Sequence, residues 1–349
     1  MASQAITSIR QVHGENASCR LASRSNDPDS LTSKMKLTVS VIIPTKNRPA
    51  DLAAMLPSLF RQTVIPDQLI IVDQSASDES ERQVRSLYEE ASPEIRNGLG
   101  LHYFHEPNVS GGATARNRGL EIVNADVTLF LDDDVMLEPD FIERLLDVYS
   151  SHPDAAGVSG IVTNAPAEHR LSRWWWNKIF MRGVLRDDRQ PVYWNVARLG
   201  STSPIRVSRF TGMMMSFRTE VIRDHRFDEN LQGVSDGEDV DFSVRLGPEA
   251  VLLINPSARL VHNASPMGRE TGHWLRREAR SVYYLYHKNW NSGLFNRLSF
   301  AWLNVGYFFI ATLGSVRRLS FAPWRALLGG RRDAREIQRR ASARRASRT

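Results

Sequence analysis

Cysteine is nearly absent from this 349-residue chain, where Cys19 stands alone. No internal disulfide can form, which excludes a disulfide-stapled scaffold and removes any need for an oxidising compartment. The first thirty-odd residues lack an apolar core segment. That argues against a secretory signal and for a flexible polar leader over 1–36. Internal repeats are missing too. Acids are scarce towards the end: residues 317–349 are dense in arginine, while the body is nearly balanced, so the net charge of +6 is local. Long uncharged runs are limited to one, LSFAWLNVGYFFIATLGSV from Leu298 to Val316.

The chain does have ample core-forming material. Hydrophobic residues make up 42% and charged residues 24%, a globular balance that excludes disordered and collagen-like classes. LTVSVIIP reads as a buried strand ending in a loop at Pro44, followed by a helix from about Ala50 to Gln62. QLIIVD is a second strand ending at Asp73, and a helix over about 77–90 begins in the capping cluster SASDES. LHYFH, DVTLFLDDD and AAGVSGIV read as further strands, with helices over ATARNRGLEIVN and LEPDFIERLLDVY between them. Nearly continuous apolar strands alternating with helices predict an α/β fold, a mainly parallel sheet with helices on both faces. Periodicity fades from about Thr163 to Arg209, then returns in RFTGMMMSFRTEVI, AVLLINP and ARLVHN. In such sheets ligands bind beyond the carboxyl ends of the strands, which singles out Thr45 to Arg48, Asp73 and Asp132 to Asp134.

The acidic run FLDDDV is the strongest chemical signal. Two like charges ~4 Å apart repel by about 1 kcal/mol in water and about 4 kcal/mol at an effective dielectric of 20. A divalent cation removes that penalty, and hard oxygen donors suit Mg²⁺ or Mn²⁺. Strand alternation makes Asp132 and Asp134 the functional pair. An acidic turn capping the next helix is the plainer reading of the same residues. In GEDVDFSVRLG, Glu238, Asp239 and Asp241 open a helix, where the dipole alone favours acids, but a proton-accepting carboxylate would also belong there. His262 in LVHN is a third possible metal ligand. Trp174, Trp175, Trp176 and Trp194 suit sugar stacking, lipid contact or plain core packing.

Taken in order, VSVIIPTKNRP, LIIVDQSASD, GGATARNRGL, FLDDDV and GEDVDFSVRL resemble a family 2 glycosyltransferase of the GT-A type, across roughly residues 38–265. The resemblance implies a GT-A nucleotide-diphospho-sugar transferase domain over 37–265, with a nucleotide-binding half to about 135 and an acceptor half beyond. It implies an inverting, metal-dependent hexosyl or deoxyhexosyl transfer from a nucleotide-diphosphate sugar, with Mn²⁺ or Mg²⁺ as cofactor. Position by position, Pro44, Thr45 and Arg48 would border the nucleotide, and Asp73 would accept a hydrogen bond from its base. Gly112 would let phosphate approach the helix that carries Arg116, with Asn117 bracing the loop. Asp132, Asp133 and Asp134 would form the acidic motif, with Asp132, Asp134 and His262 on the metal. Asp239 would be the general base, with Glu238 beside it. A sugar-nucleotide-forming nucleotidyltransferase would show an early glycine-rich basic loop where PTKNRP stands, and a decayed sugar-binding relative would not keep acids in both places.

Beyond the sheet, a helical extension is expected over 266–330 and a basic disordered tail over 331–349. The run 298–316 suits a helix on a membrane surface, a core or oligomer helix, or a span. Arginine clusters bind phosphate, and without a nucleic-acid recognition module anionic lipid is the partner expected rather than nucleic acid. The acceptor expected is a glycan or lipid-linked glycan of the cell envelope or exopolysaccharide. The expected location is cytoplasmic, peripheral on the inner face of the cell membrane, with homo-oligomers left open.

Overall fold

The structure is a computed structural model, and it describes residues 36–164, 176, 178–186, 203–231, 237–263 and 274–346. Nearly all of the expected leader, and Trp174, Trp175 and Trp194, lie outside those residues. The first half alternates as expected: β1 (Val39–Thr45), α1 (Pro49–Phe60), β2 (Gln68–Asp73), α2 (Glu79–Glu89), a short α3 (Pro93–Gly98), β3 (Gly100–His105), α4 (Gly112–Leu120) and β4 (Val127–Leu131). Next come β5 (Val135–Leu137), α5 (Phe141–Ser151), β6 (Ala155–Val162), β7 (Ile205–Val207), β8 (Met214–Arg218) and the single turn α6 (Thr219–Ile222). The series ends with α7 (Glu238–Arg245), β9 (Val251–His262), α8 (Trp274–Leu285), a π-helical turn at Tyr286–Trp290, α9 (Leu294–Arg318) and α10 (Ala322–Ala346).

Among the described residues the strands form one nine-stranded sheet, ordered β3-β2-β1-β4-β8-β6-β9-β5, with β7 also on β9. β1 to β4 are mutually parallel, β8 runs antiparallel between β4 and β6, and β6 and β9 are parallel. The sheet is therefore mixed but mostly parallel. The carboxyl ends of β1, β2, β3, β4, β6 and β9 consequently share one rim. All six residues of β2 are buried, as expected for a strand covered on both faces.

Local chemistry explains the rim loops. Asn47 takes the left-handed conformation (φ 54°) that asparagine tolerates, and Pro49 then starts α1 with its φ already set for a helix. The Asn47 N–H donates to Ser75 Oγ (2.7 Å), while Asn47 Oδ1 accepts from the Ala76 N–H (3.2 Å), so the loops after β1 and β2 are tied together.

Several elements differ from the sequence reading: α3 and β7 were not expected, and α4 stops at Leu120, short of Asn124. Residues Val135–Leu137 form a strand against β9, and helix α5 starts only at Phe141. AVLLINP and ARLVHN are one strand, β9, which passes through Pro256. The proline has no N–H for the ladder, and the β6–β9 register slips next to it, between Ser159 and Ile161. The tail expected to be disordered from 331 is helical as far as Ala346. Arginine and alanine favour helix, and packing holds it: Ala334 is fully buried, and Asp333 accepts a two-pronged ion pair from Arg276 (2.7 and 2.9 Å).

At Gly160 in β6 a Cβ would stand 2.4 Å from the Ala258 carbonyl oxygen of β9 and 2.7 Å from Phe141. Gly160→Ala is expected to destabilise the fold by about 1–3 kcal/mol. Urea unfolding checks this, and an unchanged midpoint would contradict such close approach of the two strands.

Candidate functional site

The parallel register of β1, β2 and β4 brings Thr45, Asp73 and Asp132 to the same rim. There the acids of FLDDDV separate by direction. Asp133 turns back towards β1, accepting from Thr45 Oγ1 (2.7 Å) and Arg48 Nη1 (3.1 Å). Burial pushes its carboxyl up to about 6, and the Thr45 hydrogen bond and Arg48 pull against that rise. Arg48 also reaches Asp134 (3.5 Å). Arg48, expected beside the nucleotide, is thus the counterion of two acids of the motif. Pro44 lies within β1 itself, paired with Val72.

Asp73 is completely buried at the end of β2. Its Oδ1 accepts from the Ser75 N–H (2.8 Å) and its Oδ2 from the Tyr103 hydroxyl (2.7 Å). A carboxylate has about four lone-pair positions, so these bonds leave acceptor capacity, but the side chain also serves as a turn anchor. Burial, then Asp73 itself, raises the Tyr103 phenol far above its ordinary value, which keeps it a donor.

Helix α4 starts at Gly112 after Gly111, whose φ of 96° suits glycine. One turn on lies Arg116, with a side chain only 5% exposed. Its guanidinium joins three segments, donating to Asp132 Oδ1 after β4 (2.9 Å), to Glu238 Oε1 at the start of α7 (3.3 Å) and to the Gly212 carbonyl before β8 (3.4 Å). Burial works against its charge, but Asp132, Glu238 and Asp239 outweigh it and hold the arginine firmly protonated. Arg116 is therefore an internal bridge rather than an outward arm. Asn117, expected to brace the glycine loop, ties α4 to another segment: Nδ2 donates to the Phe227 carbonyl (3.0 Å) and Glu229 (2.9 Å), and Oδ1 accepts from the Phe227 N–H (2.7 Å).

Helix α7 is preceded by Gly237 in the left-handed conformation (φ 83°), where Leu285 and Ser281 leave no space for a Cβ. The helix thus opens with both acids at the rim. Asp239 Oδ2 accepts from the Gly212 N–H (2.9 Å) and Oδ1 from the Val240 N–H (2.8 Å). Glu238 is nearly enclosed, and among the described residues no hydrogen bond reaches its Oε2. Gly212 holds both Arg116 and Asp239, a role the sequence reading missed; its only trace was a glycine just ahead of a buried strand. The reading also missed the support behind α7. Asp241 is fully buried and accepts from Lys288 (2.8 Å), Asn289 (3.0 Å) and Arg245 (2.8 Å), with Lys288 and Asn289 delivered by the π-helical turn.

His262, the last residue of β9, faces β5 across the sheet, and its Nε2 lies 3.2 Å from Asp134 Oδ1. Among the described residues no three acidic, histidine or cysteine side chains converge as a finished metal cage. Of the three expected ligands, Asp134 and His262 are in contact, whereas Asp132 turns an oxygen to Arg116. The donor chemistry nevertheless fits a divalent ion: a carboxylate and an imidazole touch, and Asp132 is close enough for both to act on its charge. Trp176 is partly buried and packs against Phe180 and Tyr307 (centroids 4.9 and 5.2 Å), beside the C-terminal helices.

Comparison with known proteins places this geometry. The Glycosyl transferase family 2 model matches residues 40–221, just over half of the chain. A glucosyl-dolichyl phosphate glucuronosyltransferase of Haloferax volcanii is 32% identical over 128 residues, 37% of this chain and 38% of that protein. The galactofuranosyltransferase GlfT2 of Mycobacterium tuberculosis is 36% identical over 114 residues, 32% of this chain and 18% of that one. In both cases the match spans well under half of the relative. Among solved structures, a mannosyltransferase from Pyrobaculum calidifontis in complex with GDP-Man and Mn²⁺ superposes over 86% of each chain with a TM-score of 0.53 at 16% identity. GalNAc-T7 with UDP, GalNAc and Mn²⁺ gives a TM-score of 0.51 at 18% identity, over 72% of this chain and 50% of that one. At these identities the likeness concerns the fold, which is GT-A.

Burial, and next Asp239, raises the Glu238 carboxyl from 4.5 to about 7 despite Arg116. The folded chain then holds a proton that the unfolded chain has released. The resulting stabilisation is complete below the unfolded value and is lost as pH rises through about 7. Thermal unfolding is expected to show stability falling over that window in the native protein and a flatter profile in Glu238→Gln. Parallel profiles would contradict the enclosed position of Glu238.

Proposed function

The chain belongs to glycosyl transferase family 2, and from that premise we propose that it transfers a sugar from a nucleotide-diphosphate donor to a hydroxyl of a glycan or lipid-linked acceptor, with inversion at the anomeric carbon. The observation that carries the reading is the buried Arg116 bridge, which fixes the rim acid Asp132 and the helix acids Glu238 and Asp239 around one point of the sheet edge. GDP-Man with Mn²⁺ in the Pyrobaculum mannosyltransferase, and UDP, GalNAc and Mn²⁺ in GalNAc-T7, support a donor of that class.

In the proposed reaction the acceptor oxygen attacks the anomeric carbon as the carbon–oxygen bond to the diphosphate breaks. The bonding pair leaves with the diphosphate, and the acceptor proton passes to Asp239. Two backbone N–H groups hold the Asp239 carboxylate at the rim, where it is placed to take the proton of the incoming hydroxyl. Asp134 and His262, with Asp132 adjacent, would hold the divalent ion, which when bound offsets negative charge on the diphosphate. Mn²⁺ is the ion in both solved complexes, which favours it over Mg²⁺. Thr45 and Asp133 shape the nucleotide side of the cleft, and Gly112 lets phosphate come near the start of α4. The glucosyl-dolichyl phosphate substrate in the name of the Haloferax relative supports a lipid-linked acceptor. A cytoplasmic position, peripheral to the inner membrane face, is part of the same proposal.

Asp239→Asn is expected to lower transfer by at least about a hundredfold, the scale of lost general-base catalysis, with nucleotide affinity unchanged. Turnover by a panel of UDP-, dTDP- and GDP-sugars with Mn²⁺ or Mg²⁺, alongside nucleotide calorimetry, measures both. Retained turnover would remove Asp239 from this role and pass it to Glu238. Asp134→Ala is expected instead to weaken donor binding only when the metal is present.

A further inference from the structure

We infer that the α9–α10 hairpin is a docking surface for a membrane bearing anionic headgroups, with α9 lying in the plane of the interface. The inference rests on the reading of a peripheral enzyme and is independent of the transfer chemistry.

Helix α9 is apolar on two opposite faces. Leu303, Tyr307 and Ala311 are buried inside the protein, and Gly306 has no room for a Cβ against Phe180 (2.6 Å). The Tyr307 hydroxyl donates to Glu278 of α8 (3.3 Å), and Asn304 accepts from Arg331 of α10. By length and composition α9 is able to cross a bilayer. A lipid-surrounded span would have to give up this polar, tightly packed face, so an in-plane position accounts for it better. On the other face, Leu298, Trp302, Val305, Phe309, Leu313 and Val316 recur every three or four residues and are 44–66% exposed. Such a continuous stripe exceeds the scattered apolar residues normal on a soluble surface. Exposed Leu319 and Phe321 extend it through the turn into α10.

Helix α10 adds the charge. Arg325, Leu328, Arg332, Arg335 and Arg339 follow the same helical spacing and are all exposed. Contacts between the two helices fix how the stripe and this row lie. Asn304 meets Arg331, Phe308 stacks on Trp324 (5.4 Å), and a Cβ on Gly314 would touch Pro323 (3.3 Å), so the helices run antiparallel. With residues 304 and 308 of α9 turned to α10, and 324 and 331 of α10 turned to α9, the geometry of 100° per residue puts the stripe and the arginine row on the same side of the hairpin.

Charge decides the occupant. A second copy docked about a two-fold axis would bring one arginine row near the other on a chain whose net charge is already +6. A bilayer accepts the apolar stripe at the acyl boundary and meets the arginines with anionic headgroups.

Flotation of the full chain with vesicles tests this. Binding is expected to phosphatidylcholine–phosphatidylglycerol vesicles at low salt, with roughly tenfold or greater loss on phosphatidylcholine alone or at high salt. Phe309→Glu with Val316→Glu, and separately Arg332→Glu with Arg339→Glu, are each expected to reduce binding by about tenfold or more, with unchanged melting and circular dichroism. No binding to the anionic vesicles, or binding unaffected by either pair, would overturn the inference. A dimer in analytical ultracentrifugation that the first pair breaks, with vesicle binding intact, would assign the surface to a second copy instead. None of these readings involves a nucleotide sugar, so the docking surface and the transfer chemistry stand or fall separately.

Discussion

Acidic charge gathered at one edge of the sheet is the constraint around which the structure is arranged. Asp132, Asp133 and Asp134 leave β4 together, and α7 brings Glu238 and Asp239 to the same rim. Two arginines make that density tolerable. Arg116 divides its guanidinium between Asp132 and Glu238, Arg48 takes Asp133 and Asp134, and His262 lies against Asp134. Buried ion pairs of this kind contribute little net stability, because desolvation cancels much of the attraction, yet removing one partner is costly. Their value is positional. They draw loops from distant parts of the sequence onto a single rim where an anionic ligand and its counter-ion can meet.

The elements that hold the rim in place lie deeper. Asp241, one turn along α7, is fixed by Lys288 and Asn289 from the π-helical turn, and Asp228 shares Lys288. Against the cost of burial, the hydrogen bonds from Lys288 and Tyr284 hold the Asp228 carboxyl at about 2, so Asp228 stays ionised through the neutral range. Leu231, Val240, Tyr284, Leu285 and Ala334 form a small core under the same junction. The C-terminal helices thus support α7 directly, through the π-helical turn and through Ala334 of α10.

Much of this was legible in the sequence because local pattern and tertiary burial agree. VSVIIPT, QLIIVD and VTLFL are mostly β-branched or apolar and became adjacent parallel strands. The direction of FLDDDV at a strand exit placed its acids at the rim. What the sequence hid depends on partners far away. Nothing in RFTGMMM announces that Gly212 holds both Arg116 and Asp239, and Lys288 sits in a stretch with no motif. The expectation that Arg48 and Arg116 face the nucleotide did not anticipate that adjacent acids would claim them first. Proline misled at β9, where a register slip lets the strand continue through Pro256, and arginine density misled at α10, where Ala334 and Asp333 anchor a helix.

The central claim is that this acid rim receives a divalent ion together with a nucleoside diphosphate. Anomalous scattering from crystals of the full chain grown with Mn²⁺ and a nucleoside diphosphate tests it most directly. A manganese peak bound by Asp134 and His262, with the diphosphate beside it, is the result predicted. A peak at another site, or a diphosphate bound away from the carboxyl ends of β1 and β4, would contradict the account.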